Sequence, residues 1–144
     1  IKLIIKTKSN PIFLKYVKNL ILNQYKTIPK NIEITNSEPV EKLIKESKFV
    51  IGFNSTTLLQ SLIAKRYVLT PNFEEYKIYD IFHETKNIVF RVENAEMIKK
   101  VIFNPSNQRK NLKFEQKFLE DKVGPPDGNS GLRANQFIYE LFDK

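Results

Sequence analysis

Short apolar runs alternate along the chain with longer segments in which apolar residues recur every three or four positions. A short apolar run is typical of a buried strand, and the longer spacing is typical of an amphipathic helix. The predicted strands are 1–7, 31–35, 48–53, 67–71 and 88–92. The predicted helices are 9–25, 37–47, 55–66, 94–103, 106–123 and 132–142. This alternation restricts the fold more than any other feature, because strands joined through helices favour parallel pairing.

The predicted strands are apolar throughout rather than at every second residue, which indicates burial on both faces of a sheet. Crossovers between parallel strands are right-handed, so a doubly wound arrangement is favoured. We therefore predict an α/β fold, a Rossmann-like three-layer sandwich with a five-stranded parallel sheet. A single domain over residues 1–144 would contain it. Ligands of such sheets bind beyond the carboxyl ends of the strands.

Charge and residue types narrow the classes of partner. The net charge is +8, and residues 1–48 alone carry +6, which suits anionic partners such as nucleic acid, anionic lipid or phosphorylated sugars. The chain has no Trp and no zinc-finger or RNA-recognition motif, so we do not expect nucleic acid. With no cysteine and one histidine, neither a disulfide nor a transition-metal site is expected. No apolar run reaches the roughly 18 residues of a membrane span, so we predict a cytoplasmic protein without a transmembrane segment.

A polar turn lies at the carboxyl end of the third predicted strand, in the stretch "GFNSTT". Its four consecutive polar residues are Asn54, Ser55, Thr56 and Thr57. Asn54 or Ser55 can cap the following helix, and one capping side chain is all that a helix needs. The additional hydroxyls, the free N–H groups and the helix dipole together suit a phosphate group. Gly52 would let a ligand or backbone approach closely. The turn therefore predicts an anion site.

The region around this turn resembles a known family. Residues 48–73, "KFVIGFNSTTLLQSLIAKRYVLTPNF", are similar to the nucleotide-sugar-binding half of GT-B glycosyltransferases, especially bacterial capsule and surface-polysaccharide enzymes. Residues 3–11 and 71–84 resemble a strand with its loop and the donor-side loop of those enzymes. Residues 118–138 resemble the "DG…R" segment that opens their C-terminal helix. The resemblance implies a nucleotide-sugar donor as substrate and no separate cofactor.

The resemblance also implies roles for individual residues. The 54–57 turn would contact the donor phosphate, and Gln60 stands where the family commonly has a Glu that binds ribose. Gln can still form a hydrogen bond with a ribose hydroxyl, but it does so as a neutral group. Further candidate donor contacts are Lys6, Lys8, Asp127 and Arg133. Each of these residues also has a structural alternative to ligand binding. The two lysines would simply be solvated, and Asp127 would cap the last helix.

Other residues depart from the family pattern. Lys65 and Tyr67 stand where the family has Gly and Pro. His83, beside Glu84, is the single candidate for acid–base catalysis. In the resembled families, however, the catalytic base usually comes from the other domain.

The resemblance suggests a fragment. The chain opens on what resembles the second strand of the donor-binding half, so the upstream strand and an N-terminal acceptor domain are missing. Removal of that strand leaves the order 2-1-3-4-5 for the five-stranded sheet. The uncovered surface would favour a homo-oligomer. We expect weak nucleotide binding and no turnover by this chain alone, with the acceptor placing the enzyme at the inner membrane surface.

Two further functions stay open on the residues alone. A sugar-nucleotide epimerase half shares the two-half architecture, but it needs carboxylates and a histidine in the cleft, where only His83 and Glu84 are available. A non-catalytic α/β module would instead bind a partner through the basic N-terminal half. Nucleotide binding would separate the glycosyltransferase and the epimerase half from the non-catalytic module.

Overall fold

The computed structural model describes residues 1–72, 82, 88–105, 112–125 and 127–142, with the side chains of 112–114 excepted. The strands are β1 (Leu3–Lys6), β2 (Ile32–Thr35), β3 (Phe49–Ile51), β4 (Tyr67–Pro71) and β5 (Phe90–Val92). The helices are α1 (Pro11–Tyr25), α2 (Val40–Glu46), α3 (Thr56–Ile63), α4 (Ala95–Phe103), α5 (Leu112–Val123) and α6 (Ser130–Phe142). Each predicted strand and helix overlaps one of these elements, so the α/β class is confirmed.

The strands form two parallel sheets, and the predicted five-stranded sheet is therefore wrong. β1 pairs with β2, whereas β3, β4 and β5 form a second sheet with β4 in the centre. The order 2-1-3-4-5 required β1 and β3 to be inner strands, and inner parallel strands are buried on both faces. Leu3 in β1 is instead 44% exposed and Ile51 in β3 is 43% exposed. Apolar composition indicated strands, but it did not determine their partners.

The chain divides into two compact units, Ile1–Glu46 and Ser47–Lys144. The first unit contains β1, β2, α1 and α2, and its buried residues are Thr35 and Ile44. Asn10 caps α1, because its Oδ1 accepts a hydrogen bond from the N–H of Ile12 at 2.9 Å. Pro11 follows at the first helical position, where its fixed φ suits a helix start. The prediction of a single domain over 1–144 stays a prediction.

The second unit holds the larger core, which covers both faces of the β3–β4–β5 sheet. Val68 in the central strand packs on one face with residues of α3 and α5, and Leu69 packs on the other face with residues of α4. The buried residues of the first face are Leu58, Leu62, Val68, Phe82, Ile88, Val89, Phe118 and Leu119. Helices α3 and α5 therefore pack on one face of this sheet, and α4 packs on the other.

Two helices end in a lysine with left-handed backbone conformation. Lys26 follows α1 with φ 61°, and its N–H donates to the carbonyl of Leu22. Lys65 lies just beyond α3 with φ 56°, and its N–H donates to the carbonyl of Leu62. Glycine is the usual residue in this conformation, because it has no Cβ to clash with the backbone.

Large apolar side chains remain exposed on α1 and α6. They include Ile12, Phe13, Tyr16 and Leu20 on α1, and Leu132, Phe137, Tyr139 and Phe142 on α6. Among the described residues, no helix combines the length and the apolar character that crossing a bilayer requires.

Candidate anion-binding site at the start of α3

The turn between β3 and α3 is closed by Ser55. Asn54 adopts a left-handed conformation with φ 43°, and Ser55 returns to extended backbone with φ −130°. Ser55 Oγ then accepts a hydrogen bond from the N–H of Thr57 at 3.3 Å, and its carbonyl accepts one from Leu58 at 3.0 Å. Ser55 is thus the N-cap of α3, whereas Asn54 shapes the turn before it.

Capping leaves donor groups at the start of α3. The first N–H groups of a helix have no partner within the helix, and Ser55 accepts from only two of them. Within the described ranges, no acceptor meets the N–H of Thr56. The Thr56 side chain is exposed and that of Thr57 is half-buried, so their hydroxyls add to the donors at this helix end. The positive end of the helix dipole favours an anion here.

Gly52 has a packing function in this structure. Its N–H donates to the carbonyl of Leu69 at 3.1 Å and extends the ladder between β3 and β4. A Cβ built on Gly52 would lie 2.8 Å from Cδ2 of Leu58, a residue that is 1% exposed. The absent side chain therefore makes room for Leu58 of α3. The prediction that Gly52 admits the close approach of a ligand or backbone stays a prediction.

Gln60 lies on the same side of α3 as Thr56, because residues four apart are neighbours on a helix surface. Both side chains are exposed. Ser61, one residue further, is buried and donates its hydroxyl to the carbonyl of Thr57 at 2.7 Å. The helix thus presents Thr56 and Gln60 outward, whereas Leu58, Ser61 and Leu62 are buried.

Thr70 in β4 is a candidate that the sequence reasoning missed. It is 1% exposed, and among the described residues its Oγ1 has no hydrogen-bond partner. Its register partner in β5 is Arg91, whose Nη2 donates to the carbonyl of Phe82 at 2.6 Å. The signal was available, since Thr70 is the polar residue at the carboxyl end of the apolar run "YVLTP". A buried hydroxyl without a partner calls for an explanation.

Lys6 and Lys8 belong to the first unit, whereas the 54–57 turn belongs to the second. Lys6 Nζ donates to the carbonyls of Thr7 and Asn36, each at 2.8 Å, and so joins the segments that follow β1 and β2. Lys8 Nζ lies 5.5 Å from the centroid of the Phe13 ring, within the range of a cation–π contact. Lys6 therefore has a structural function, and Lys8 is exposed.

Asp127 and Arg133 bind each other at the start of α6. Arg133 Nη1 donates to both carboxylate oxygens of Asp127, at 3.0 and 2.9 Å, and Nη2 donates to the carbonyl of Pro125 and to Ser130 Oγ. The Arg133 hydrogen bonds, together with one from the N–H of Asn129, lower the pKa of Asp127 to about 2. These contacts favour the structural alternative, in which the pair orders the turn before α6. The ligand-binding function of both residues stays a prediction.

The catalytic candidate His83 lies outside the described residues, as does its neighbour Glu84. In the part of the chain that the structure describes, no group of three His, Asp or Glu side chains could hold a metal ion. The described groups at the start of α3 are hydroxyls, N–H groups and a helix dipole, which suit the binding of an anion.

Fold and site together define an α/β protein with a capped helix at the carboxyl end of a parallel strand. Comparisons of the chain with protein-family models, curated proteins and solved structures found no match.

Proposed function

We propose that the chain is the donor-binding domain of a glycosyltransferase that uses a nucleotide-activated sugar in surface polysaccharide synthesis. One observation carries the proposal: α3 begins at the carboxyl end of β3 with hydrogen-bond donors that Ser55 does not satisfy. The N–H and hydroxyl of Thr56 are such donors, and they lie at the positive end of the helix dipole. A nucleotide-sugar offers a diphosphate or phosphate as the matching acceptor.

The proposal assigns a function to each polar residue of α3. The hydroxyls of Thr56 and Thr57 donate to phosphate oxygens, and the helix N-terminus stabilises the negative charge of the departing nucleotide. Gln60, one turn further along the exposed face, bonds a ribose hydroxyl as a neutral group. The general base and the acceptor site come from a second domain, so this chain binds donor without turnover.

The test is isothermal calorimetry with CMP, CDP and UDP. Ser55→Asp is the decisive variant, because Asp caps a helix about as well as Ser but adds a negative charge where phosphate would bind. We expect Ser55→Asp to retain the unfolding midpoint of the wild type and to lose nucleotide binding. Ser55→Asn, a neutral cap, should bind at least tenfold more tightly than Ser55→Asp, since about 1.4 kcal/mol corresponds to tenfold.

A matched pair of threonine variants separates the site from general surface effects. Thr56→Ala should weaken nucleotide binding, whereas Thr27→Ala removes an equally exposed hydroxyl in the first unit and should not. Equal affinity of Ser55→Asp and wild type for all three nucleotides would contradict the proposal.

A non-catalytic binding module is the second candidate, and the charge of residues 1–48 favours it. Residues 1–48 carry 10 basic and 4 acidic side chains. Among them, Lys2 pairs with Glu33 at 2.7 Å and Lys42 with Glu38 at 2.8 Å, which leaves a basic excess in this segment. Such a module would bind none of the three nucleotides. Its binding to an anionic partner would instead weaken with added salt.

A further inference from the structure

Thr70 is buried at a position where valine, which has nearly the same shape, would leave no hydroxyl without a partner. Its Oγ1 is covered by protein atoms, and no acceptor or donor among the described residues meets it. A buried polar group without a partner destabilises the folded state. Thr35, the buried threonine of the first unit, differs in this respect, because its Oγ1 accepts from the N–H groups of Ser37 and Glu38. The unpaired hydroxyl of Thr70 therefore points to a function.

The pleat of the sheet places Thr70 beneath the first turn of α3. Val68 packs with Leu58 and Leu62 of α3, and side chains two residues apart in a strand share a face, so Thr70 faces α3 as well. Ile51 is paired with Leu69, and Gly52 donates to the carbonyl of Leu69, which puts Gly52 opposite Thr70. The side chain of Leu58, in the first turn of α3, lies over Gly52.

The neighbouring strand adds positive charge on the same face. Arg91 is the register partner of Thr70, and Val89, two residues earlier, packs in the same cluster as Val68. The guanidinium of Arg91 donates to the carbonyl of Phe82. Thr70 and Arg91 are thus neighbours on the face of the sheet that α3 covers.

We propose that Thr70 is a further ligand-binding residue of the anion site, whose hydroxyl donates to a phosphate oxygen held at the start of α3. The proposal rests on the proposed function and adds to it a contact from the sheet. Because Oγ1 is covered, the proposal requires a local opening that admits the phosphate, and we place this opening at the turn Phe53–Ser55. That turn is exposed at Phe53 and Asn54, and the Ser55–Thr57 hydrogen bond that closes it is long, at 3.3 Å.

The test compares wild type with Thr70→Val and Thr70→Ser by calorimetry with inorganic pyrophosphate and with UDP. Thr70→Val keeps the shape and removes the hydroxyl, so we expect its affinity for both probes to fall about tenfold or more. Thr70→Ser should retain most of the affinity. The unfolding midpoint of Thr70→Val without ligand should equal or exceed that of wild type, since an unpaired buried group is removed. The control Thr35→Val should lower the midpoint and leave binding unchanged.

Each outcome decides one of the two proposals. Wild-type affinity of Thr70→Val for both probes overturns the function of Thr70, and the proposed donor site survives if Ser55→Asp still abolishes UDP binding. Thr70-dependent binding of pyrophosphate without binding of any nucleotide supports Thr70 and overturns the nucleotide-sugar function. If wild type binds neither pyrophosphate nor UDP, the Thr70 proposal fails, and the nucleotide-sugar function fails with it if CMP and CDP do not bind either. A lower midpoint of Thr70→Val, equal to that of Thr35→Val, would show that the hydroxyl stabilises the fold and would overturn the Thr70 proposal.

Discussion

Replacement of Gly52 by Ala tests whether this glycine serves packing or ligand approach. The added Cβ would lie 2.8 Å from Leu58 Cδ2 and 3.5 Å from Leu58 Cγ. Leu58 is 1% exposed and packed in the core of the second unit, so its side chain has little room to move. Overpacking of this kind costs about 1 to 3 kcal/mol.

The effect of Gly52→Ala on the backbone has the opposite sign and raises the free energy of unfolding. Gly52 is not among the residues with positive φ, so Ala can adopt its conformation. Gly→Ala at such a position stabilises by about 0.4 to 1 kcal/mol through the unfolded chain. The net expectation for Gly52→Ala is therefore a loss of about 0.5 to 2 kcal/mol in the free energy of unfolding.

A double-mutant cycle with Leu58→Ala tests whether the clash with Leu58 causes the loss of stability in Gly52→Ala. Leu58→Ala alone should lower the free energy of unfolding by about 2 to 5 kcal/mol through the cavity that it leaves. In that background the clash is gone, so Gly52→Ala should stabilise by about 0.4 to 1 kcal/mol. Urea titration of the four proteins measures this reversal of sign. An equal loss from Gly52→Ala in both backgrounds would show that the contact with Leu58 is not the cause.

Two further predictions concern residues that the sequence assigned to ligand binding. The pKa of Asp127 is lowered to about 2 from 3.8 chiefly by Arg133, so Arg133→Gln should move it back toward 3.8 in an NMR titration. The stabilisation from this pair should be complete above about pH 4 and lost as the pH falls toward 2, and an unchanged Asp127 pKa in Arg133→Gln would refute the assignment. Lys6→Met removes two hydrogen bonds to backbone carbonyls and should lower the free energy of unfolding by about 1 kcal/mol. Lys8→Met, measured in the same urea titration, should change it by less than about 0.5 kcal/mol; equal effects of the two variants would contradict the structural function of Lys6.

Local chemistry explains why the helices and strands could be predicted. Asn10 with Pro11 and Asn94 before α4 are helix-start signals that act within four residues, and both lie at the start of a predicted helix. The apolar run of β4 coincides with the predicted strand, because its central residues are buried on both faces. Such signals depend on neighbours along the chain, which the sequence displays directly.

Contacts that depend on the folded path of the chain could not be predicted in the same way. β1 pairs with β2, about 30 residues further along the chain, and not with the predicted neighbour β3, which lies more than 40 residues away. For Gly52 the sequence predicts the close approach of a ligand or backbone, and its packing against Leu58 has no trace in the sequence pattern. For Arg133 the sequence predicts contact with an anion, and it does not display the ion pair of Arg133 with Asp127.

Lys65, which follows α3, shows that a turn can keep a left-handed backbone conformation without the glycine that usually occupies it. At position 65 the backbone has the φ of 56° that favours glycine, and a side chain there costs about 1 kcal/mol. A positive charge near a helix C-terminus recovers about 0.3 to 1 kcal/mol. Glycine and lysine are therefore nearly equivalent in free energy at this position, and substitution between them is close to neutral. A lineage can exchange one for the other while the path of the chain into β4 stays the same.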